Sequence, residues 1–527
     1  MSSYDRVHGA GCAFVSVLLG LTQSLTVFGI NNNLSALQGA LGATALEAGW
    51  LSTAYFATTL SAVVLMTKVR LQVGIERFAT WSIAAFTAVS LWSFLAPDLT
   101  SAIAARAVLG LSAAPLTTMA VLYMIEAMPP ALAPVGAVLG FGTLQLGSPI
   151  ARILAEPLFD LTPGIGLPMF DVTLALASVA AIHAVPMHPI PRQKAFNTGD
   201  LLAFGLYATG LALICVVVTQ GRALWWTDTP WLGSCLCIGI ALFGAYAIFD
   251  SARDRPLIDL RWLAAPSMSW LVVAIILFRI ALSEQPVGAV ALMNVLGETN
   301  SQMHALFTWA TLGTALGFFA VVAALALRAL RLTLLASLVL VLAASLMDAH
   351  LTSLSRPDDI IVTQTMIAIA TAMFLGSTFV LGLLPVVKDG FHNIVSFLAM
   401  FSGVQNLGSL LGAASLGTYV ADQQHSHLAR LVESISFADP QVVMRAAQGS
   451  AAQAGVVLDP HLRAGVGVAT LAQGVAREAW VLAYDDLFRR IAIVAGLTFV
   501  ALAMYWSLQW WREREPSPLS VLPGAIA

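Results

Sequence analysis

The sequence predicts an all-helical protein that crosses a lipid bilayer many times. Apolar residues make up 58% of the 527 positions and charged residues only 10%, whereas water-soluble chains average about 45–50% and about 25%. A soluble protein of this length could not cover its surface with so few charges. Long apolar runs recur along the chain in place of the alternating pattern of a membrane β-barrel. The solvent around most of the chain is therefore lipid.

Fourteen apolar runs are long enough to cross a bilayer, for which a helix needs about 20 residues. The first run is too long for the apolar core of a signal peptide, so we expect it to remain as a span. The predicted spans lie at residues 10–30, 46–66, 78–96, 101–124, 133–157, 166–186, 200–219, 231–250, 267–291, 302–326, 332–348, 360–386, 395–419 and 488–511.

The spans fall into groups of six, two and six. A polar, basic stretch at residues 187–199 follows the sixth span, and a long outer segment at residues 420–487 precedes the last. We expect two helices in that segment, near residues 439–452 and 463–488. The predicted domains are an N-terminal six-helix half at residues 1–187, a linker with two extra transmembrane helices at 188–260, and a C-terminal six-helix half at 261–527 that includes the outer segment.

Lysine and arginine residues favour one side of the predicted membrane. If the N-terminus is cytoplasmic, the short outer loops hold only Arg222 and Arg356. Because cytoplasmic loops carry an excess of Lys and Arg, we expect both termini in the cytoplasm. The residues on that side are Arg6, Lys68, Arg70, Arg77, Arg192, Lys194, Arg253, Arg255, Arg261, Arg328, Arg331, Lys388, Arg512 and Arg514.

Charge and motif content exclude several classes of function. A net charge of −3 gives no electrostatic footprint for nucleic acid. The four cysteines all lie in apolar stretches, so we expect no disulfide framework. No pair of histidines has metal-ligand spacing inside a span, and the sequence contains no recognisable P-loop or Ser-His-Asp arrangement. We therefore expect a protein that is not an enzyme, binds no metal or cofactor and does not use ATP.

Short motifs occur in a fixed order along the chain. They are Leu41-Gly42 with Trp50 and Tyr55, Arg106 with Gly110, Asp200, and residues 255–261, 406–412 and 483–488. With the six-two-six plan, their order resembles that of the fourteen-span drug:proton antiporters of the major facilitator superfamily, the EmrB/QacA type. The resemblance covers nearly the whole chain and implies a major facilitator fold, with two six-helix bundles and two extra helices.

Three positions depart from this family's pattern. Thr26 stands at or near the place of the family's acidic residue in the first span, and it cannot carry a proton. The loop at residues 68–77 lacks the family's Asp-Arg pair, and residues 147–152 lack the glycine pair of the fifth-span motif. The family's usual proton-coupling residues therefore do not carry over intact.

Charged residues inside the predicted spans are few, and each costs at least about 2.5–3.5 kcal/mol at mid-bilayer. Arg106 lies in the fourth span, and Arg152 and Glu156 lie in the fifth. Arg152 and Glu156 are four residues apart, so they share a helix face and can pair. We predict that all three form one cluster, either for proton coupling or as a static salt bridge between helices.

The ninth span contains Arg279 and Glu284, followed by Pro286 and Gly288. A proline permits a kink, and interrupted helices mark the midplane sites of many transporters. We predict that Glu284 carries the proton, with Arg279 as its neighbour; the alternative is a purely structural partnership between them.

Amide side chains are the candidates for a substrate cavity. Asn31 and Asn32 end the first span, and Asn294 and Gln405 lie in later spans. The alternatives are an outer loop for the first two residues and hydrogen bonds between helices for the other two.

The predicted function is proton-coupled export of amphipathic drugs or hydrophobic compounds by alternating access. The alternative is export of a specific metabolite, such as a siderophore or a fatty acid, and a non-transporting sensor or a membrane-embedded enzyme is less favoured. The resemblance implies a place in the bacterial inner membrane. It also implies a periplasmic adaptor and an outer-membrane channel as partners.

The predicted topology can be tested with reporter fusions. Fusions at Lys194 and Leu257 are expected to report the cytoplasm, and a fusion at Pro440 is expected to report the exterior. A cytoplasmic signal at Pro440 would contradict the topology, because the predicted topology has an odd number of spans between the linker and the long segment and so places them on opposite sides.

Overall fold

A computed structural model of the protein describes residues 3–96, 98–161, 166–188, 196–253, 256–388 and 394–514. These residues form helices joined by short loops, and they contain no β-strand. The helices are α1 Ser3–Asn31, α2 Leu34–Leu41, α3 Ala45–Val73, α4 Ile75–Leu95, α5 Leu99–Ala127, α6 Ala133–Gln145, α7 Gly147–Leu161, α8 Gly166–Ala184, α9 Thr198–Gln220, α10 Pro230–Ser251, α11 Leu260–Leu263, α12 Pro266–Ala281, α13 Val290–Leu296, α14 His304–Ala326, α15 Leu330–Asp348, α16 Ile361–Lys388, α17 Ile394–Ser434, α18 Pro440–Ala452 and α19 Pro460–Arg514.

Fourteen helical segments of the described residues are long and apolar enough to cross a membrane. The all-helical class and the predicted number of spans are thereby confirmed. Two spans are composite: α6 and α7 together form the fifth, and the ninth consists of α12, the π-helical turn Glu284–Ala289 and α13.

The long segment before the last span differs from its prediction. The helix expected near residues 439–452 is present as α18. The helix expected near residues 463–488 is not separate, because α19 continues without a break for 55 residues into the last span. No proline stands between Pro460 and Pro516, so nothing in the backbone stops the helix where the membrane begins. Much of residues 420–487 therefore extends the last two spans.

Two large apolar cores fill the bundle. One is built from the first half and includes Leu19, Phe86 and Leu109, which are almost fully buried. The other fills the second half and reaches across to Phe141 of α6. Phe141 stacks on Phe379 of α16 with ring centroids 5.3 Å apart. The two halves therefore meet through aromatic side chains as well as through loops.

The two extra helices are attached to the second span by a buried ionic network. Asp200, at the start of α9, accepts hydrogen bonds from Lys68 Nζ at 3.0 Å and from Arg253 at 2.7 Å. Arg253 also donates to Asp250 of α10, which accepts the backbone N–H of Leu257. Burial lowers the pKa of Arg253, but the hydrogen bonds and charges of the two aspartates outweigh it and raise that pKa overall. This network fixes α9 and α10 against α3.

Neutralising Asp200 tests this attachment. Asp200→Asn leaves two cations without their shared carboxylate, so we expect a loss of about 3 kcal/mol in stability and a lower midpoint of thermal unfolding in detergent. Asp228→Asn, in the exposed loop between the same two helices, is the matched control and should leave the midpoint unchanged. Equal midpoints for the two variants would contradict the role of the network.

Candidate functional site

A buried polar cluster in the first half joins four helices. Arg106 of α5 donates from both terminal nitrogens to the backbone oxygen of Thr26 of α1, at 3.2 Å each. The Thr26 hydroxyl donates to Asp171 Oδ1 of α8 at 2.9 Å. The Arg106 guanidinium also lies over the ring of Tyr55 of α3, 4.7 Å from its centroid. All four residues are buried. Hydrogen bonds, the nearby carboxyl group and a ring face compensate the guanidinium in part, and Arg106 Nε has no hydrogen-bond partner among the described residues.

Gly110 allows the helices of this cluster to come together. A Cβ atom at this position would lie 2.5 Å from the backbone oxygen of Tyr55 and would also collide with the Thr58 hydroxyl. The Thr59 hydroxyl donates to the Gly110 carbonyl at 3.0 Å. The glycine that follows Arg106 by four residues therefore serves close packing of α3 on α5.

The structure shows which acidic residue lies beside Thr26. The sequence has no acid at this position of the first span, and the structure places an acid from the sixth span, Asp171, in contact with the Thr26 hydroxyl. Asp171 lies near the start of the sixth predicted span, at residues 166–186. The available signal was a single aspartate in an otherwise apolar run, but the run does not tell which neighbour it faces.

A second buried cluster lies in the other half and contains Glu284. Gln364 Nε2 of α16 donates to Glu284 Oε1 at 3.1 Å and to Oε2 at 3.3 Å. The same amide donates to Asp348 Oδ2 of α15 at 3.0 Å. The three side chains are at most 1% exposed. One amide group thus bridges two carboxyl groups that are shielded from solvent.

The two carboxyl groups of this cluster are expected to hold at least one proton. Two carboxylates this close repel each other strongly in an apolar surrounding, and carboxyl pairs elsewhere share a proton for this reason. Gln364 Oε1 and Asp348 Oδ1 are buried and accept no hydrogen bond from the described residues, so the cluster has more acceptor atoms than donors. The arrangement is chemically suited to binding and releasing a proton.

The backbone around Glu284 is irregular, as the proline predicts. Residues Glu284–Ala289 form a π-helical turn that contains Pro286 and separates α12 from α13. Gly288 lies against Phe488 of α19, and a Cβ atom there would be 2.8 Å from that ring. The local break sets Glu284 towards α15 and α16, where Asp348 and Gln364 lie.

Arg279 contacts a different helix from Glu284. Its Nε donates to the backbone oxygen of Gln405 of α17 at 3.2 Å. The contacts of Glu284 are instead to Asp348 and Gln364. Sequence reasoning missed Asp348, because it ends its span, and Gln364, because it is neutral.

Arg152 lies where the two halves meet at the predicted outer face. It donates to Oδ1 of Asn32, which follows α1, at 3.5 Å and to Asn300 Oδ1 at 3.4 Å. Asn300, which precedes α14, donates to Asn33 Oδ1 at 2.9 Å. The guanidinium also lies 5.2 Å from the ring centroid of Phe307. Arg152 therefore connects the first half to the second.

The remaining predicted residues are dispersed. Asn31 accepts a hydrogen bond from the Ser52 hydroxyl, and Asn294 is exposed. The side chain of Glu156 lies outside the described residues. Arg106 and Arg152 contact different groups, and their predicted cluster with Glu156 stays a prediction.

The described residues also contain one group of side chains with donors suited to a metal ion. It consists of His8, Cys12 and Glu126, whose ligand atoms all lie within 4.8 Å of one another. This group is separate from both buried clusters.

A double-mutant cycle tests the cluster of the first half. Asp171→Asn removes the carboxylate that faces the buried guanidinium, so we expect less folded protein and a lower unfolding midpoint. Adding Arg106→Gln should recover part of the loss, with a coupling free energy of about 0.5–3 kcal/mol. Thermal unfolding of the two single variants and the double variant measures this coupling, and strictly additive losses would contradict it.

Solved structures of similar fold belong to transporters. The chain is 11% identical to the human organic anion transporter MFSD10, with a TM-score of 0.53 over 94% of this chain and 100% of that one. It is 10% identical to a bacterial homologue of the human drug peptide transporters PepT1 and PepT2, with a TM-score of 0.56 over 95% and 99%. No protein-family model and no curated protein matches the sequence. The similarity is one of fold.

Proposed function

We propose that this chain, which has the major facilitator fold, is a proton-coupled secondary exporter of amphipathic compounds. The fold consists of two six-helix bundles with two extra helices. The observation that carries the proton-coupled part of the proposal is the buried pair Glu284 and Asp348, bridged by one amide. Ionisable groups inside a membrane domain are costly and commonly mark ion or substrate pathways.

Contacts between the halves at two depths support alternating access. Near the predicted outer face, Arg152 contacts Asn300. Nearer the predicted cytoplasmic face, Phe141 packs on Phe379 and on Phe401, which lies close to the start of α17. In alternating access, one of these contact regions opens while the other stays closed. The described contacts of the two regions are hydrogen bonds of Arg152 to amide oxygens and contacts between aromatic rings.

Protonation of the carboxyl pair would couple the gradient to this motion. A lost proton leaves two charged carboxylates around a single amide, which is unfavourable in an apolar bundle. The pair can reduce this cost by separating, and Glu284 lies on the π-helical turn of the ninth span, where the backbone is already interrupted. The proton state would thus favour one arrangement of this span over another, which is sufficient for coupling.

A half-buried cation of the second half favours a substrate that carries an acidic group. Arg279 donates to a backbone oxygen and forms no ion pair with a carboxylate among the described residues. One protein of similar fold is described as an organic anion transporter. This supports the second candidate function, export of a specific amphipathic metabolite such as a fatty acid or a siderophore.

The placement of the protein in the cell forms part of the same proposal. We place it in the bacterial inner membrane with both termini in the cytoplasm, on the distribution of Lys and Arg. The extended ends of α17 and α19, with α18 between them, would then project into the periplasm. This projection is our candidate contact for a periplasmic adaptor of an outer-membrane channel.

Transport in proteoliposomes tests the proposed function. We expect vesicles with purified protein to move ethidium or radiolabelled oleate when a pH gradient is imposed, and to lose this movement when a protonophore is added. A trapped pH-sensitive dye should report proton flux in the opposite direction. Preference for oleate supports the anionic metabolite, and gradient-independent movement of every probe would contradict proton coupling.

Neutralising the carboxyl pair tests its role. Glu284→Gln mimics the protonated acid, so gradient-driven transport should fall to the rate of protein-free vesicles while binding of the same probe persists. Asp348→Asn should lower the gradient-driven rate as well. The matched control is Asp358→Asn, which changes an exposed aspartate near the same end of the bundle and should transport normally. If Glu284→Gln transports at the wild-type rate, the proton is carried elsewhere and Asp171 becomes the next residue to test.

A further inference from the structure

Four side chains with metal-binding atoms meet at the predicted cytoplasmic end of the first half. His8 and Cys12 lie one turn apart on α1, Glu126 lies near the end of α5, and His188 follows α8. His8 Nε2 is 3.2 Å from Glu126 Oε1 and 3.5 Å from Cys12 Sγ. His188 Nδ1 is 2.7 Å from the same Glu126 oxygen. The four residues come from three separate parts of the chain.

We propose that His8, Cys12, Glu126 and His188 bind a divalent transition-metal ion of the zinc type. Imidazole nitrogen, thiolate sulfur and carboxylate oxygen are the three donors that zinc takes in proteins, most often four at a time in a tetrahedron. The soft sulfur and two imidazoles favour such an ion over calcium or magnesium, which prefer oxygen ligands.

The separations of the donor atoms fit this geometry. Tetrahedral bonds of about 2.0–2.3 Å place nitrogen and oxygen ligands about 3.3 Å apart and nitrogen and sulfur ligands about 3.6 Å apart. The separations here are 3.2 Å between His8 Nε2 and Glu126 Oε1 and 3.5 Å between His8 Nε2 and Cys12 Sγ. His188 is closer to Glu126, at a hydrogen-bond distance. The donor atoms that lie within 4.8 Å of one another are those of His8, Cys12 and Glu126, so the His188 side chain must shift to take a fourth position.

Burial gives the site a closed side and an open side. Cys12 is fully buried, and the side chains of His8 and Glu126 are 22% and 16% exposed. The side chain of His188 is 79% exposed, so an ion can enter from the aqueous phase past this residue. The buried thiol of Cys12 lies one helical turn from His8 and adds a sulfur donor on the closed side of the site.

A bound ion would tie α1, α5 and the segment after α8 together. These elements belong to the first half, and the cluster lies at its edge, away from the Arg152 and Phe141 contacts with the second half. We therefore assign the ion as a resident of the protein rather than as transported cargo. This inference does not depend on the proposed transport function.

Metal binding to the purified full-length protein tests the site. After incubation with zinc chloride and desalting, we expect one zinc ion per chain by elemental analysis. Competition with a chelating dye measures the affinity for zinc. We expect Cys12→Ser and Glu126→Gln each to lower this affinity by more than about 100-fold, because loss of an outer-shell partner alone can cost up to about 100-fold. Zinc should also raise the unfolding midpoint of the wild type, because it binds the folded state.

Cobalt substitution and two further variants decide whether these residues are the ligands. Cobalt should give the visible bands of a tetrahedral site and a thiolate charge-transfer band that Cys12→Ser removes. His188→Ala changes an exposed side chain, so the variant should fold normally but bind zinc more weakly than the wild type. Cys237→Ser, at an exposed cysteine of α10, should bind zinc like the wild type. No bound zinc, an octahedral cobalt spectrum, or an affinity unchanged in Cys12→Ser and His188→Ala would overturn the proposal.

Discussion

The cost of placing charge in a medium that cannot solvate it governs this structure. Each charged or strongly polar side chain between the helices needs a partner within the protein, because lipid offers none. Arg106 reaches the backbone of α1, Glu284 reaches α15 and α16, and Asp200 reaches α3 and α10. A few polar contacts thus specify which helices are neighbours. Apolar packing alone would allow many arrangements, since one leucine-rich face resembles another.

The two polar clusters have opposite electrostatic characters. In the first half, a guanidinium and a carboxyl group compensate each other through Thr26, so the cluster can stay charged and fixed. In the second half, two carboxyl groups share one amide, and the proposed proton coupling rests on this pair. A fixed cluster suits a scaffold, and a proton-dependent cluster suits a moving part. The interrupted ninth span, which carries Glu284, is consistent with this division.

Sequence reasoning predicted the features that depend on position along the membrane normal. Apolar run length places all fourteen spans, and the depth of Glu284 with the following Pro286 predicts an irregular turn that the structure contains. Sequence reasoning did not predict which side chains contact each other, because a run of apolar residues indicates the depth of a residue in the membrane but not the direction that its side chain faces. Asp348, Gln364 and Asp171 therefore emerged only with the packing. The His8 group was missed for a related reason: Glu126 is far in the chain from His8 and Cys12, and only the packing of α1 on α5 brings it to them.

The unbroken course of α19 has a mechanical consequence. This helix has 55 residues, which corresponds to about 80 Å at 1.5 Å per residue, whereas the hydrocarbon core is only about 30 Å thick. Its membrane part packs on α12 and α15 of the second half, and its far end carries α18. The helix therefore acts as a lever arm attached to that half. If the tip lies some 40 Å beyond the membrane, a tilt of about 10° would move it by about 7 Å. A small rearrangement within the bilayer would therefore produce a large displacement of any partner bound at the tip.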